Sequence, residues 1–177
     1  NDKPKQMRRV LRGAFECANK VMQWNAAFYV VHPAGPLAYD FLREIRRVGW
    51  KVHQGLVWAK VTEHPKDTDW KKPHFVQGRS DYQYAHEPIA FGWKRKLGLP
   101  SPRRCTKMEE EDGTPHWQGD NARPSVFAVP RPKRSPGHPS SKPPELIARM
   151  LVNSTKEGDI VYEPFCGSGS TILACEG

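Results

Sequence analysis

A chain of 177 residues is the size of one compact domain, and 28 Lys and Arg against 19 Asp and Glu leave it with a net charge of +9. That balance points to an anionic partner, nucleic acid ahead of a membrane surface. Six Trp, five Tyr and seven Phe argue against disorder although only 37% of the residues are hydrophobic. No apolar run reaches the ~18 residues that a membrane-spanning helix needs, and Asn1-Asp2-Lys3-Pro4 does not open a signal peptide. Cys17, Cys105, Cys166 and Cys175 form no Cys-x-x-Cys pair, which speaks against a disulfide framework or zinc ribbon and for reduced thiols in the cytoplasm.

In chain order, Met7, Val10, Leu11, Ala14, Phe15, Ala18, Val21 and Met22 follow helical spacing and predict an amphipathic helix over residues 5–22. Ala26-Ala27-Phe28-Tyr29-Val30-Val31 is a continuous apolar run of the kind that forms a buried parallel strand. Leu37, Phe41, Leu42, Ile45 and Val48 predict a second helix that stops at Gly49. Residues 51–61 and 84–93 read as strands, separated by a polar loop over about 62–81. Most of the 17 prolines fall beyond this point, and residues 97–137 read as a charged, weakly structured insert. Pro143-Pro144 suits the first turn of a helix bearing Leu146, Ile147, Met150 and Leu151. A strand is then expected at Ile160-Val161-Tyr162-Glu163, followed by a glycine turn and a helix from Ile172. Alternation of helix and strand predicts an α/β layered fold.

The glycine turn carries the chemistry. Pro164-Phe165-Cys166-Gly167-Ser168-Gly169-Ser170-Thr171 joins an expected strand to a helix, an arrangement that brings backbone N–H groups close to a ligand. It is not the dinucleotide fingerprint, because Ile172 stands where the third glycine belongs, and no Lys follows Gly169 as a Walker loop requires. On its own, Gly-x-Gly is equally an ordinary strand–helix turn.

Read with its surroundings, the turn resembles the DNA amino-methyltransferases, enzymes that methylate adenine N6 or cytosine N4 with S-adenosylmethionine. His138-Pro139-Ser140-Ser141-Lys142-Pro143, a helix, Gly158-Asp159-Ile160-Val161 and Glu163-Pro164-Phe165-Cys166-Gly167-Ser168-Gly169-Ser170-Thr171 stand as the family's segments do. Phe28-Tyr29-Val30-Val31-His32, Leu56-Val57-Trp58-Ala59-Lys60, Gly78-Arg79-Ser80-Asp81-Tyr82, His86-Glu87-Pro88-Ile89, Gly92-Trp93-Lys94 and Val126-Phe127 with Arg131-Pro132 follow the family's order, so the resemblance covers nearly the whole chain. The glycine turn comes last, as in a permuted class of the family. Glu163 replaces the usual Asp, and Ser170 a common Thr.

The resemblance implies a Rossmann-like fold: a mostly parallel sheet with helices on both faces and an antiparallel pair near one edge. It also implies a cofactor site for S-adenosylmethionine built from Glu163, Phe165, Cys166, Gly167, Ser168, Gly169 and Ser170, closed by Lys142 and His138. Double-stranded DNA is the implied partner, with a restriction endonuclease counterpart or a second copy of the chain as further partners, in a bacterial or phage setting. Residues 97–137 would recognise the target, and Lys94, Arg95, Lys96, Arg103, Arg104 and Arg79 would contact phosphates.

The family's Asp/Asn/Ser-Pro-Pro-aromatic tetrapeptide, whose acceptors polarise the target amine, does not occur in these residues. It is expected upstream of Asn1, so the chain reads as a single domain truncated at both ends and inactive alone. His86-Glu87-Pro88 reads first as a packing element where a strand begins, and acid–base work is the lesser alternative. Trp58 and Trp93 read as core, and Trp117 as the candidate for stacking on bases. Histidines 53, 64, 74 and 86 have no ligand spacing, so no metal is expected. Two other functions stay open: methylation of RNA, and a DNA-binding remnant without chemistry.

Overall fold

A computed structural model describes residues 3–62, 81–95, 117–119, 122–132 and 141–177. Helix α1 (Lys3–Val21) follows the predicted stripe and buries Leu11, Phe15 and Ala18. After β1 (Ala27–Val31) comes α2 (Ala38–Arg47), which ends at Gly49, where φ is +83° and a side chain would be strained. Strand β2 (Trp50–Val61), β3 (His86–Lys94) and β4 (Val126–Pro130) complete the sheet, and α3 (Pro144–Leu151) and α4 (Ser170–Glu176) follow. Pro144 occupies the first turn of α3, where its missing N–H costs nothing.

The strands lie in the order β1-β3-β2-β4. Both neighbours of β3 run antiparallel to it, and β4 runs parallel to β2. The expected mostly parallel ladder is therefore corrected to a small mixed sheet whose pairings are mostly antiparallel. Its cause is β3: β1, β2 and β4 all point one way, but the reversed strand sits between β1 and β2 instead of at an edge.

Helices cover both faces. On one, Leu11 and Phe15 of α1 and Ile45 of α2 pack against Phe28, Trp50 and Ala90 of the sheet. On the other, Leu146 and Met150 of α3 pack on Leu56, Trp58, Ile89, Phe91, Phe127 and Val129. The α1–α2 contact is charged as well as apolar. Arg12 Nε lies 3.2 Å from the carboxylate of Glu44, which is buried, and Arg43 Nε lies 3.5 Å from it. The hydrogen bond from Arg12 holds the Glu44 carboxyl below its ordinary range, against the opposing effect of burial.

One irregularity shapes the middle of the sheet. Val52 faces Gly92 and Gln54 faces Phe91, so His53 is an extra residue, and its ring packs 4.7 Å from that of Trp93. Lys51 comes so near at this bulge that a Cβ on Gly92 would lie 1.8 Å from its carbonyl oxygen. Only glycine fits there.

Three further expectations are corrected. The insert 97–137 contains β4, whose Phe127 and Val129 belong to the core. Trp117 packs against that core with its ring 6.0 Å from Phe91, which takes it from base stacking to structure. Residues 160–163 form no strand, and Ile160 is 96% exposed. A strand needs a neighbouring backbone edge, and among the described residues this segment joins no ladder.

Candidate functional site

The glycine loop is tied together by its own side chains. Glu163 Oε1 accepts the backbone N–H of Phe165 at 2.7 Å, and Oε2 accepts the Thr171 hydroxyl at 3.0 Å. Both carboxylate oxygens thus bridge the start of the loop to α4. Between them Gly167 and Gly169 have φ of +52° and +77°, and Gly169 N–H donates to the Cys166 carbonyl at 2.8 Å. Two left-handed residues in three make this turn, which is why glycine stands at both. Helix α4 begins at Ser170, earlier than the expected Ile172.

A second anchor comes from the segment before α3. Ser170 Oγ donates to the main-chain carbonyl of Lys142 at 2.7 Å and lies 3.0 Å from Ser168 Oγ. The Lys142 ammonium is 3.2 Å from Glu87 Oε2, while Glu87 Oε1 is 2.8 Å from Lys60 Nζ. Lys60 is buried beside the Trp58 ring. Glu87 lies near the start of the reversed β3 and Lys60 near the end of β2, so this cluster sits at the carboxyl edge of β1, β2 and β4. Ligands of open α/β sheets bind at that edge.

A cavity of about 1580 Å³ runs along the free edge of β1, between α1 and the segment that carries the glycine loop. Phe28, Tyr29, Val30 and Val31 of β1 line one side, and Lys142, Glu163, Phe165, Cys166, Gly167, Ser168 and Ser170 line another. Of the residues that the resemblance implied for a cofactor, Gly169 alone among those described is not in the lining, and His138 lies outside the described residues. Tyr29 marks the floor, its hydroxyl 2.7 Å from Ser154 Oγ just past α3. Sequence reasoning missed Tyr29, Ser154 and Lys60 as site residues and read Glu87 first as part of a packing element, with acid–base work the lesser alternative. Their partners lie tens of residues away, beyond the reach of any local pattern.

The basic residues are placed differently. Lys94 Nζ donates to the carbonyls of Asn19 at 2.6 Å and Met22 at 2.8 Å and lies 4.5 Å from the centre of the Trp24 ring. It caps the C-terminal end of α1, where carbonyls have no partner in the helix. The seven residue steps from Glu87 to Lys94 span roughly 23 Å at the rise of an extended strand, so Lys94 and the exposed Arg95 leave the sheet at the edge away from the glycine loop. Arg79, Lys96, Arg103 and Arg104 lie outside the described residues.

An α/β sheet with a doubly anchored glycine loop at its carboxyl edge is the frame of a nucleotide-type cofactor enzyme. The profile of the N6/N4 DNA methylases matches residues 1–177, and the chain belongs to that family. The type II methyltransferase M2.MboI of Moraxella bovis is 33% identical over 110 residues, covering 59% of this chain and 38% of its own. M.HpaI of Haemophilus parainfluenzae is 49% identical over 39 residues, which are 22% of this chain and 12% of that one. The chain therefore spans less than half the length of these curated relatives. Among solved structures, the M1.HpyAVI–SAM complex superposes with a TM-score of 0.57 at 20% identity, covering 95% of this chain and 70% of that one. TTHA0409 from Thermus thermophilus, complexed with S-adenosyl-L-methionine, gives 0.52 at 18% identity, with 96% and 64% covered. These likenesses show the methyltransferase fold.

Proposed function

We propose that the full-length protein moves a methyl group from S-adenosylmethionine to an exocyclic amino nitrogen of a DNA base, adenine N6 or cytosine N4. The observation that carries this reading is the loop of Gly167, Ser168 and Gly169, fixed from one side by Glu163 and from the other by Lys142, in a chain of the N6/N4 family. The loop fits the cofactor. Gly167 and Ser168 line the cavity without a branched side chain, and a Cβ at Gly169 would meet no atom within 4 Å.

When bound, the cofactor would supply an electrophilic methyl on a sulfonium, the S–CH3 bond breaking to leave a neutral thioether as the N–CH3 bond forms and the amine releases one proton to solvent. The part of these residues is placement. Backbone amides of the loop would hold the methionine portion, Phe165 would contribute an apolar wall and Lys142 would close the side next to α3. Polarising the amine falls to the family's Pro-Pro-aromatic tetrapeptide. The Pro143-Pro144 pair of this chain opens α3, and in this reading it takes no part in the chemistry.

In this reading residues 1–177 are one methyltransferase domain, and the part of 97–137 that precedes β4 is the target-recognition insert. DNA contacts come from Arg79, Arg95, Lys96, Arg103 and Arg104. With Lys94 engaged at α1, its neighbour Arg95 becomes the described residue best placed to begin that surface. The kinship with type II methyltransferases supports a restriction endonuclease or a second copy as the partner protein in this reading, and a bacterial or phage-infected cytoplasm as its setting. No described helix is long and apolar enough to cross a membrane.

The test is transfer of labelled methyl from S-adenosylmethionine to duplex DNA and to RNA by the full-length protein, followed by nucleoside analysis. Methylated adenine or cytosine in DNA alone supports the reading, and label in RNA alone overturns it for the RNA alternative. Salt-dependent DNA binding without any transfer would establish the remnant instead.

A further inference from the structure

Three charges meet where the reversed strand begins. Glu87 engages Lys60 through one oxygen at 2.8 Å and Lys142 through the other at 3.2 Å. Lys60 is 6% exposed, and a cation buried that deeply requires an anion beside it. Glu87 and Trp58 face each other across the β2–β3 ladder, so Lys60 and Glu87 are fixed within the sheet itself. The second oxygen of Glu87 extends that fixed point outward to a segment that the sheet does not otherwise contain. Lys142 then passes it on, because its carbonyl accepts the Ser170 hydroxyl at 2.7 Å.

We propose that Glu87 is a positioning residue for the methyl-donor cofactor: by holding Lys142 against the sheet it sets where the glycine loop stands relative to the cavity. The inference rests on the reading of that loop as the cofactor site. A carboxylate that only neutralised Lys60 would need one oxygen and would have no influence on the loop. The chain of contacts from Glu87 to Lys142 to Ser170 makes the influence specific to cofactor affinity and leaves the chemical step alone.

The experiment is calorimetric titration of S-adenosylmethionine into the full-length protein and its Glu87→Gln, Lys142→Met and doubly substituted variants, with thermal melting and steady-state kinetics alongside. Glu87→Gln weakens cofactor binding about tenfold, the scale of a lost charged hydrogen bond. It raises KM for the cofactor while kcat at saturation and KM for DNA stay put. Lys142→Met, which leaves the Lys60 pair intact, weakens binding similarly without lowering the melting temperature, and the double variant is no weaker than either single one. Glu87→Asp recovers part of the affinity.

Unchanged cofactor affinity in Glu87→Gln overturns the proposal, and so do losses that simply add in the double variant. Should Glu87→Gln fold poorly, Lys142→Met decides alone: wild-type affinity in that variant overturns the proposal equally. If instead the unsubstituted protein binds no cofactor, or Gly167→Val binds it as the wild type does, the assignment of the loop itself has failed, and the inference falls with it.

Discussion

Ser170, the first residue of α4, gives its hydroxyl hydrogen to the main-chain carbonyl of Lys142, 28 positions earlier in the chain. The bond joins the two parts of the candidate cofactor site that the sequence keeps apart. Ser170 is buried, so removing its hydroxyl takes away the donor that the Lys142 carbonyl accepts from. Ser170→Ala is expected to weaken S-adenosylmethionine binding by about 1 kcal/mol, and Ser170→Thr to keep most of it. Calorimetric titration of the full-length protein reads both.

Gly167 adopts φ of +52°, a region that a β-branched residue enters only with strain. The loop lies on the surface, so that strain reshapes the turn and leaves the sheet intact. Gly167→Val should abolish cofactor binding while circular dichroism and melting stay near wild type. Intact binding in this variant would remove the glycine loop from the site.

Gly92 answers to a different constraint, since an added Cβ would lie 1.8 Å from the Lys51 carbonyl oxygen and 2.9 Å from Phe28 Cζ. Strand and ring cannot both move aside in a packed core. Gly92→Ala is expected to destabilise the fold by about 1–3 kcal/mol, with urea denaturation as the measure. Gly49→Ala meets open space but a left-handed backbone, and its cost should be smaller, about 1 kcal/mol.

Stability should also depend on pH through Glu44. Its carboxyl is held below its ordinary value by the hydrogen bond from Arg12, so the folded state binds its proton later than the unfolded chain does. The stabilisation is complete above the unfolded pKa of about 4.3 and is lost as pH falls through the folded value. Glu44→Gln should cost about 1–3 kcal/mol at neutral pH. That difference narrows in acid. Denaturant unfolding of both proteins at neutral pH and near pH 3 measures it, and a gap that stays constant would remove Glu44 from the acid response.

Much of the architecture is written in local periodicity. The stripes of α1, α2 and α3 and the apolar runs of β1, β2 and β3 predict those elements closely, because each buries one face against a neighbour. Strand β4 was hidden because Pro124, Pro130 and Pro132 make its surroundings read as loop. Pro130 is tolerated as the last residue of an edge strand, where its missing N–H breaks no ladder. Strand sense was illegible for another reason: alternation in β3 is the same whichever way the chain runs. Lys94 read as a phosphate contact in a basic cluster, and only the tertiary fold reveals that its ammonium closes the end of α1. The glycine loop was readable as a motif, whereas Glu87 acquires its meaning from Lys60 and Lys142, which no window of sequence contains together.

The placement of β3 also fixes an order of events during synthesis. Val31 of β1 pairs with Ile89, and Leu56 of β2 pairs with the same residue from the opposite side. Until the ribosome has released β3, these two hydrophobic strands have no partner between them, and each waits beside α1 and α2 with an unsatisfied edge. At ~5–20 residues per second that interval lasts about 3–12 s for β1. The nascent chain is thus most exposed to mispairing and to chaperones in the window before residue 94 emerges. The arrival of a single strand then closes both ladders together.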